Sequence, residues 1–154
     1  MKNLRTFHQE QTIPCPRQEV FSFFENHSNL LKLTPPWLHL RVRSADLEKL
    51  ALNARYRYAI RLSGIPISWT TLITRCEPPF LFEDIQQNGP YAYWKHVHKF
   101  EERGDSTLMT DEVHYQLPFG SIGNLFGGVF AEKNLKKVFE YRKESLGLIF
   151  SSKA

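Results

Sequence analysis

The feature that most constrains this chain is a change of period. Up to Leu117 the apolar residues recur mainly at every second position; beyond Gly120 they recur at every third or fourth. The first spacing builds one face of a strand and the second one face of a helix. "WLHLRVRS" (37–44) and "ARYRYAIRL" (54–62) alternate in this way. "ISWTTLITRC" (67–76), "FLFEDIQQ" (80–87), "YAYWKHVHKFEE" (91–102) and "STLMTDEVHYQL" (106–117) read as further strands. Gly64-Ile65-Pro66, Pro78-Pro79, Asn88-Gly89-Pro90 and Arg103-Gly104-Asp105 separate them, and such short breaks imply antiparallel neighbours. After Pro118, one helical side collects Ile122, Leu125, Phe126, Val129, Phe130, Leu135, Val138, Phe139, Arg142, Leu146 and Ile149. Glu132, Lys133, Lys136, Lys137, Glu140 and Lys143 mostly take the other. The spacing predicts a helix of up to ~28 residues, ~40 Å long.

At the other end, "LRTFHQEQTI" (4–13) reads as a strand ended by Pro14-Cys15-Pro16. "PRQEVFSFFEN" (16–26) then reads as a short helix with Pro16 at its first position. "HSNLLKL" (27–33) adds a second short helix, stopped by Thr34-Pro35-Pro36 because proline excludes helix just before it. A strand, two short helices, a meander of strands and one long helix make an α+β layer fold. A long amphipathic helix following such a meander must cover the concave face of a curved antiparallel sheet. A sheet bent around one helix tends to leave space between the two.

The chain has 154 residues, enough for a single domain, here 1–154. Its formal charge is only +4, and the arginines at 41, 43, 55, 57 and 61 alternate with other residues instead of forming a stripe. That pattern is a strand's solvent face, and it argues against a nucleic-acid partner. The two cysteines, Cys15 and Cys76, form no CxxC motif. With no apolar leader at the N-terminus and no long apolar span, a cytoplasmic protein without an integral membrane segment is expected. Twelve phenylalanines, six tyrosines and three tryptophans exceed what core filling alone requires, and aromatic residues also line apolar ligand cavities. An enclosed void of ~300 Å³ would cost up to about 7 kcal/mol, so such a pocket should be small or usually occupied.

The segments "LTPPW" (33–37), "GIPISW" (64–69), "FEDIQQNGPYAYWKHVHKF" (82–100), "TLMTDEVHYQLPFG" (107–120) and "VFEYRKESL" (138–146), in this order, carry a family resemblance. The chain resembles the START/Bet v 1-like (SRPBCC) superfamily and its helix-grip fold, in particular a bacterial cyclase/dehydrase-like, ligand-binding branch. The resemblance covers nearly the whole chain. It implies a cavity for an apolar or amphipathic ligand between sheet and C-terminal helix, and it implies no single reaction.

"WKHVHKF" (94–100) holds the most suggestive polar groups. Trp94, His96, His98 and Phe100 share one side of their strand; Lys95, Val97, Lys99 and Glu101 share the other, so the histidines point inward. In the next strand Thr107, Met109, Asp111, Val113, Tyr115 and Leu117 form the inward set. Pairing Phe100 with Thr107 across the turn would set His98 opposite Met109, His96 opposite Asp111 and Trp94 opposite Val113, with parity better determined than partners. In the preceding strand either Asp84 or Glu83 would face His96, depending on loop length.

Three readings compete. In the first, His96, His98, Asp111 and Tyr115 form a satisfied polar network that orients a ligand, while Trp69, Trp94, Phe100, Val113, Phe126 and Phe130 give apolar wall. In the second, His96 and Asp111 are an acid–base pair, with Tyr115 as proton donor or enolate binder, in a polyketide cyclase/dehydratase-like enzyme. The third, a metal held by His96, His98 and Asp111, is the weakest, because His-x-His alone is common and no iron motif of the oxygenase relatives is present. No nucleophile elbow or other independent reaction motif supports catalysis. Binding of a lipid, quinone or polyketide-like molecule, without metal or cofactor, is therefore the first expectation; the sequence names no protein partner. Gly123, Gly127 and Gly128 weaken the start of the long helix. They fit close packing or a late helix start, with a mobile gate beside Phe119, Phe126 and Phe130 as the alternative.

Overall fold

The computed structural model describes residues 3–151, apart from the side chains at 121, 122 and 124–126. Seven strands form one sheet: β1 (Arg5–Ile13), β2 (Arg41–Ala45), β3 (Arg55–Leu62), β4 (Ile65–Glu77), β5 (Leu81–Asn88), β6 (Tyr93–Arg103) and β7 (Ser106–Gln116). Their order is β1-β7-β6-β5-β4-β3-β2, and all six neighbouring pairs are antiparallel. Two short helices, α1 (Arg17–Glu25) and α2 (Leu30–Leu33), follow β1, and the long helix α3 (Gly120–Ser151) closes the chain. This is the expected α+β helix-grip architecture.

The period-two segments become strands for the reason their sequences suggest. On β7 exposure alternates residue by residue, with Thr107, Met109, Asp111, Val113 and Tyr115 buried. On β3 the buried set is Tyr56, Tyr58 and Ile60. "WLHLRVRS" departs from expectation. Pro36–Leu38 is a single 3₁₀ turn, His39 takes a left-handed backbone (φ 47°), and only Arg41–Ala45 pairs with β3. Pro35 and Pro36 favour the turn, and β2 is an edge strand with four of its five residues exposed, so its alternation reports no buried face. The β3–β4 turn also shifts by a residue. Ser63 and Gly64 carry the positive φ angles (49° and 81°), while Ile65 and Pro66 already pair in the ladder.

The core divides along the sheet. At one end Val20, Phe21 and Phe24 of α1 pack on Ile13, Phe82, Phe100 and Met109 of the sheet and on Leu146 and Phe150 of α3. Phe21 meets Phe82 and Phe100 edge-on, with centroids 6.2 and 5.3 Å away. Toward the other end Trp94, Val113 and Tyr115 pack against Leu135 and Phe139 of α3. Helix α3 runs to 32 residues, longer than its apolar spacing predicts, because it begins at Gly120. Close packing has a direct cause at Gly123, where a Cβ would strike the Pro118 carbonyl oxygen; one on Gly128 would meet only the movable end of the Arg5 side chain.

Phe21 is 1% exposed and fills the joint between α1 and the sheet. Truncation to alanine is expected to cost about 3–5 kcal/mol in urea unfolding, the range for a buried phenylalanine that leaves a cavity.

Candidate functional site

Helix α3 covers the inward sides of β3 to β6 only in part. Between them lies a cavity of about 610 Å³, walled by Tyr56, Tyr58, Ile73, Trp69 and Trp94 from the sheet and by Leu135, Val138 and Phe139 from α3. Phe24, Leu30 and Leu33 close its sides. Trp37 and Phe130, 53% and 62% exposed, stand where it opens to solvent. The cavity is about twice the volume considered on sequence grounds. As a dry, closed void it would cost roughly 15 kcal/mol at ~24 cal/mol per Å³, the upper limit of a domain's whole stability, so it must hold solvent or a ligand.

A polar cluster lies on the sheet side. His96 and His98 both line the cavity, their rings in contact with centroids 3.6 Å apart. His98 also stacks on Phe82 (3.9 Å, 16° between planes), and His96 meets Phe139 of α3 edge-on at 5.5 Å. His96 Nε2 donates to Asp111 Oδ1 at 2.7 Å. His98 Nε2 donates to Asp84 Oδ2 at 3.0 Å. His98 Nδ1 lies 3.2 Å from the same Asp111 oxygen but is not aligned for a hydrogen bond.

The partners follow from register. Phe100 pairs with Met109, His98 with Asp111, His96 with Val113 and Trp94 with Tyr115. This is two residues away from the expected pairing, because Arg103 and Ser106 pair as well and leave a two-residue turn at Gly104-Asp105. A shift of two keeps every side chain on its face. His96 therefore reaches Asp111 on the diagonal. Across β5 the pairing of Asp84 with His96 settles the second question: Asp84 is the inward carboxylate, and Glu83 faces outward to Lys95 at 3.1 Å.

Burial and charge determine the protonation states. Burial first, and then the neighbouring His98, push His96 down to about 4 against the opposing pull of Asp111, so its imidazole is neutral at pH 7. Burial alone would raise Asp111. The charge of Arg142 and the contacts of both imidazoles outweigh it and hold the carboxyl well below the usual range. An ionised Asp111 accepting from a neutral His96 places that ring's one hydrogen on Nε2. Nδ1 is left as an acceptor. Burial likewise pushes Tyr91, on the cavity wall, up to about 12, so its hydroxyl stays protonated.

The structure separates the candidate residues into two groups. Trp69, Trp94, His96, His98 and Phe130 line the cavity. Phe100, Asp111, Val113 and Tyr115 sit behind its wall: Phe100 packs with Phe21 and Phe24, and Val113 and Tyr115 join the Trp94 cluster. The Tyr115 hydroxyl engages Arg5 and lies across from Trp94 rather than beside His96. Phe126 falls outside the described residues, and Phe119, 84% exposed, does not line the cavity. Three histidine and carboxylate ligand atoms, from Asp84, His96 and His98, approach within 4.8 Å of one another; Asp84 thus replaces Asp111 in the set that could hold a metal. Sequence reasoning passed over Arg142. It lines the cavity at 8% exposure, its Cζ over the rings of Phe24 (5.3 Å) and Phe139 (5.7 Å). Its signal was present, an arginine on the apolar stripe of α3.

No family model and no curated protein matches the chain. Solved structures do. Ara h 8.0201, of the Bet v 1 family, matches 97% of this chain over 99% of its own at 13% identity, with a TM-score of 0.69. The Zhui aromatase/cyclase from Streptomyces sp. R1128 matches 94% of this chain over 92% of its own at 11% identity (TM-score 0.72). The chain has the START/Bet v 1-like helix-grip fold. The nucleoside-diphosphate sugar epimerase from Corynebacterium glutamicum contains a similar unit, 25% identical over 91% of this chain (TM-score 0.66) but spanning only 28% of that protein.

The depressed His96 gives the helix-grip domain a defined acid response. The unfolded chain takes up this proton near pH 6.5 and the native protein only near 4. The stability associated with neutral His96 is full above pH 6.5 and is lost as pH falls through that window, about 3 kcal/mol in all. Urea unfolding between pH 7 and 4 should show this loss. His96→Gln should flatten it and leave the further decline below pH 4, where Asp111 of the unfolded chain takes up a proton that the native carboxylate still resists.

Proposed function

We propose that the protein binds an apolar or amphipathic small molecule, of lipid, quinone or polyketide-like kind, between the sheet and α3. The observation that carries this reading is the cavity itself. Its 610 Å³ lies within the ~300–1,000 Å³ typical of small-molecule sites, and its walls are aromatic and aliphatic with a few convergent polar groups. The whole chain, 1–154, would serve as one binding domain. That Cys15 and Cys76 are thiols and not a disulfide supports a cytoplasmic setting.

A cyclase- or dehydratase-like reaction is the second reading, favoured by one contact. The 2.7 Å bond to Asp111 orients His96 with its free nitrogen available as a base inside an apolar site. Binding ranks first because an imidazole held near 4 is a weak base at neutral pH, and because Tyr115 does not reach the cavity.

Native mass spectrometry of the purified protein, followed by denaturation and organic extraction, should reveal a co-purifying apolar compound. Absence of any such compound, together with no uptake of an apolar fluorescent probe, would overturn the binding reading. If the extracted compound is a substrate, His96→Ala abolishes its turnover with the fold intact; if it is only cargo, the variant changes affinity alone.

A further inference from the structure

The buried polar group that neither the core nor the His–Asp cluster absorbs is Arg142. A guanidinium carries five N–H donors in a fixed plane and keeps its charge at any physiological pH. Here Nε has no hydrogen-bond partner, and the guanidinium enters no ion pair closer than 4 Å among the described residues. Phe24 and Phe139 lie within reach of its charge, their ring centroids 5.3 and 5.7 Å from Cζ. Nε is closed off from the cavity as well, so the donors that a ligand in the cavity can reach are the terminal Nη groups, which have no protein acceptor among the described residues.

The charges around it restrict what that acceptor can be. Asp111 stands behind the histidines and already answers the charge of Arg142 through space. Asp84 adds a second carboxylate on the cavity wall. An incoming anion would have to shed its water beside both carboxylates, which His98 joins, for a guanidinium whose charge Asp111 already answers. A carbonyl oxygen offers the same lone pairs without a charge. We propose that the ligand is a neutral, apolar ketone or quinone whose carbonyl oxygen accepts from Arg142, rather than a fatty acid or other anionic amphiphile. This inference rests on the ligand-binding reading above.

Three naphthalenes with one body and different heads test it: 2-acetylnaphthalene, 2-ethylnaphthalene and 2-naphthoate, titrated against the fluorescence of the wall tryptophans. The ketone is expected to bind about tenfold tighter than the hydrocarbon, the scale of a hydrogen bond to a charged donor, and the naphthoate no tighter than the hydrocarbon. Arg142→Met should remove the ketone's advantage while leaving 2-ethylnaphthalene unchanged, and Arg142→Lys should keep part of it. Naphthoate binding tightest, or ketone and hydrocarbon binding equally to the unaltered protein, overturns the assignment. That comparison needs no variant, so it decides the matter even if Arg142→Met fails to fold. If none of the three binds, the ligand-binding reading falls and this inference with it; if all bind equally, only the carbonyl assignment falls.

Discussion

One helix cannot cover seven strands. At ~4.8 Å per strand the sheet is ~29 Å wide, whereas a helix with its side chains is ~10–12 Å across. Helix α3 packs over β1, β7 and β6, so the inward faces of β3, β4 and β5 are left mainly to α1, α2 and open volume. Bending the sheet narrows the gap, and α1 fills one end of it with Phe21 and Phe24. What remains is the cavity. It follows from the ratio of strands to helices, and its chemistry is whatever side chains those uncovered strands turn inward.

For that reason much of the site was legible from alternation alone. Lys95, Lys99 and Glu101 on one side of β6 turn His96 and His98 to the other, and the same parity turns Asp111 inward on β7. Partners were harder to obtain, because a turn of two residues or four preserves parity and differs only in register. The choice rests on Arg103 and Ser106 pairing around Gly104, whose φ of 60° suits a tight hairpin. The 37–40 segment alternates as a strand would, with Leu38 and Leu40 toward the cavity, but Pro35 and Pro36 favour a 3₁₀ turn there and His39 takes a left-handed backbone, which alternation cannot signal. Arg142 was overlooked for a different reason. Helical spacing identifies the stripe that faces the sheet, but it cannot tell whether the sheet or a cavity lies opposite.

The polar cluster holds together through Asp111. Its carboxylate accepts from His96, lies beside His98 and balances Arg142 from another element of the fold. Removing one member of such a set leaves the others charged or unpaired in an apolar site, which costs more than the set gains by forming. The arrangement therefore contributes less to net stability than to uniqueness. It joins β5, β6 and β7 by side chains as well as by the ladder, and it fixes which nitrogen of His96 remains free.

The cluster also divides the cavity between two bodies. Asp84, His96 and His98 belong to the sheet, whose central strands are tied along their length; Arg142 belongs to α3, which at that level is held to the edge strand β1 by packing and by the side-chain hydrogen bonds of Gln9 to Phe139 O and Gln11 to Lys143 O. A ligand that accepts from Arg142 while lying against the histidines would bridge helix and sheet across the gap their geometry leaves. It would replace solvent where strands and helix leave no core between them, and at a hundredfold excess over its dissociation constant it would add about 2.7 kcal/mol to stability. Occupancy and stability are thus linked by the same uncovered strands, and thermal stability becomes a direct measure of whether the cavity is filled.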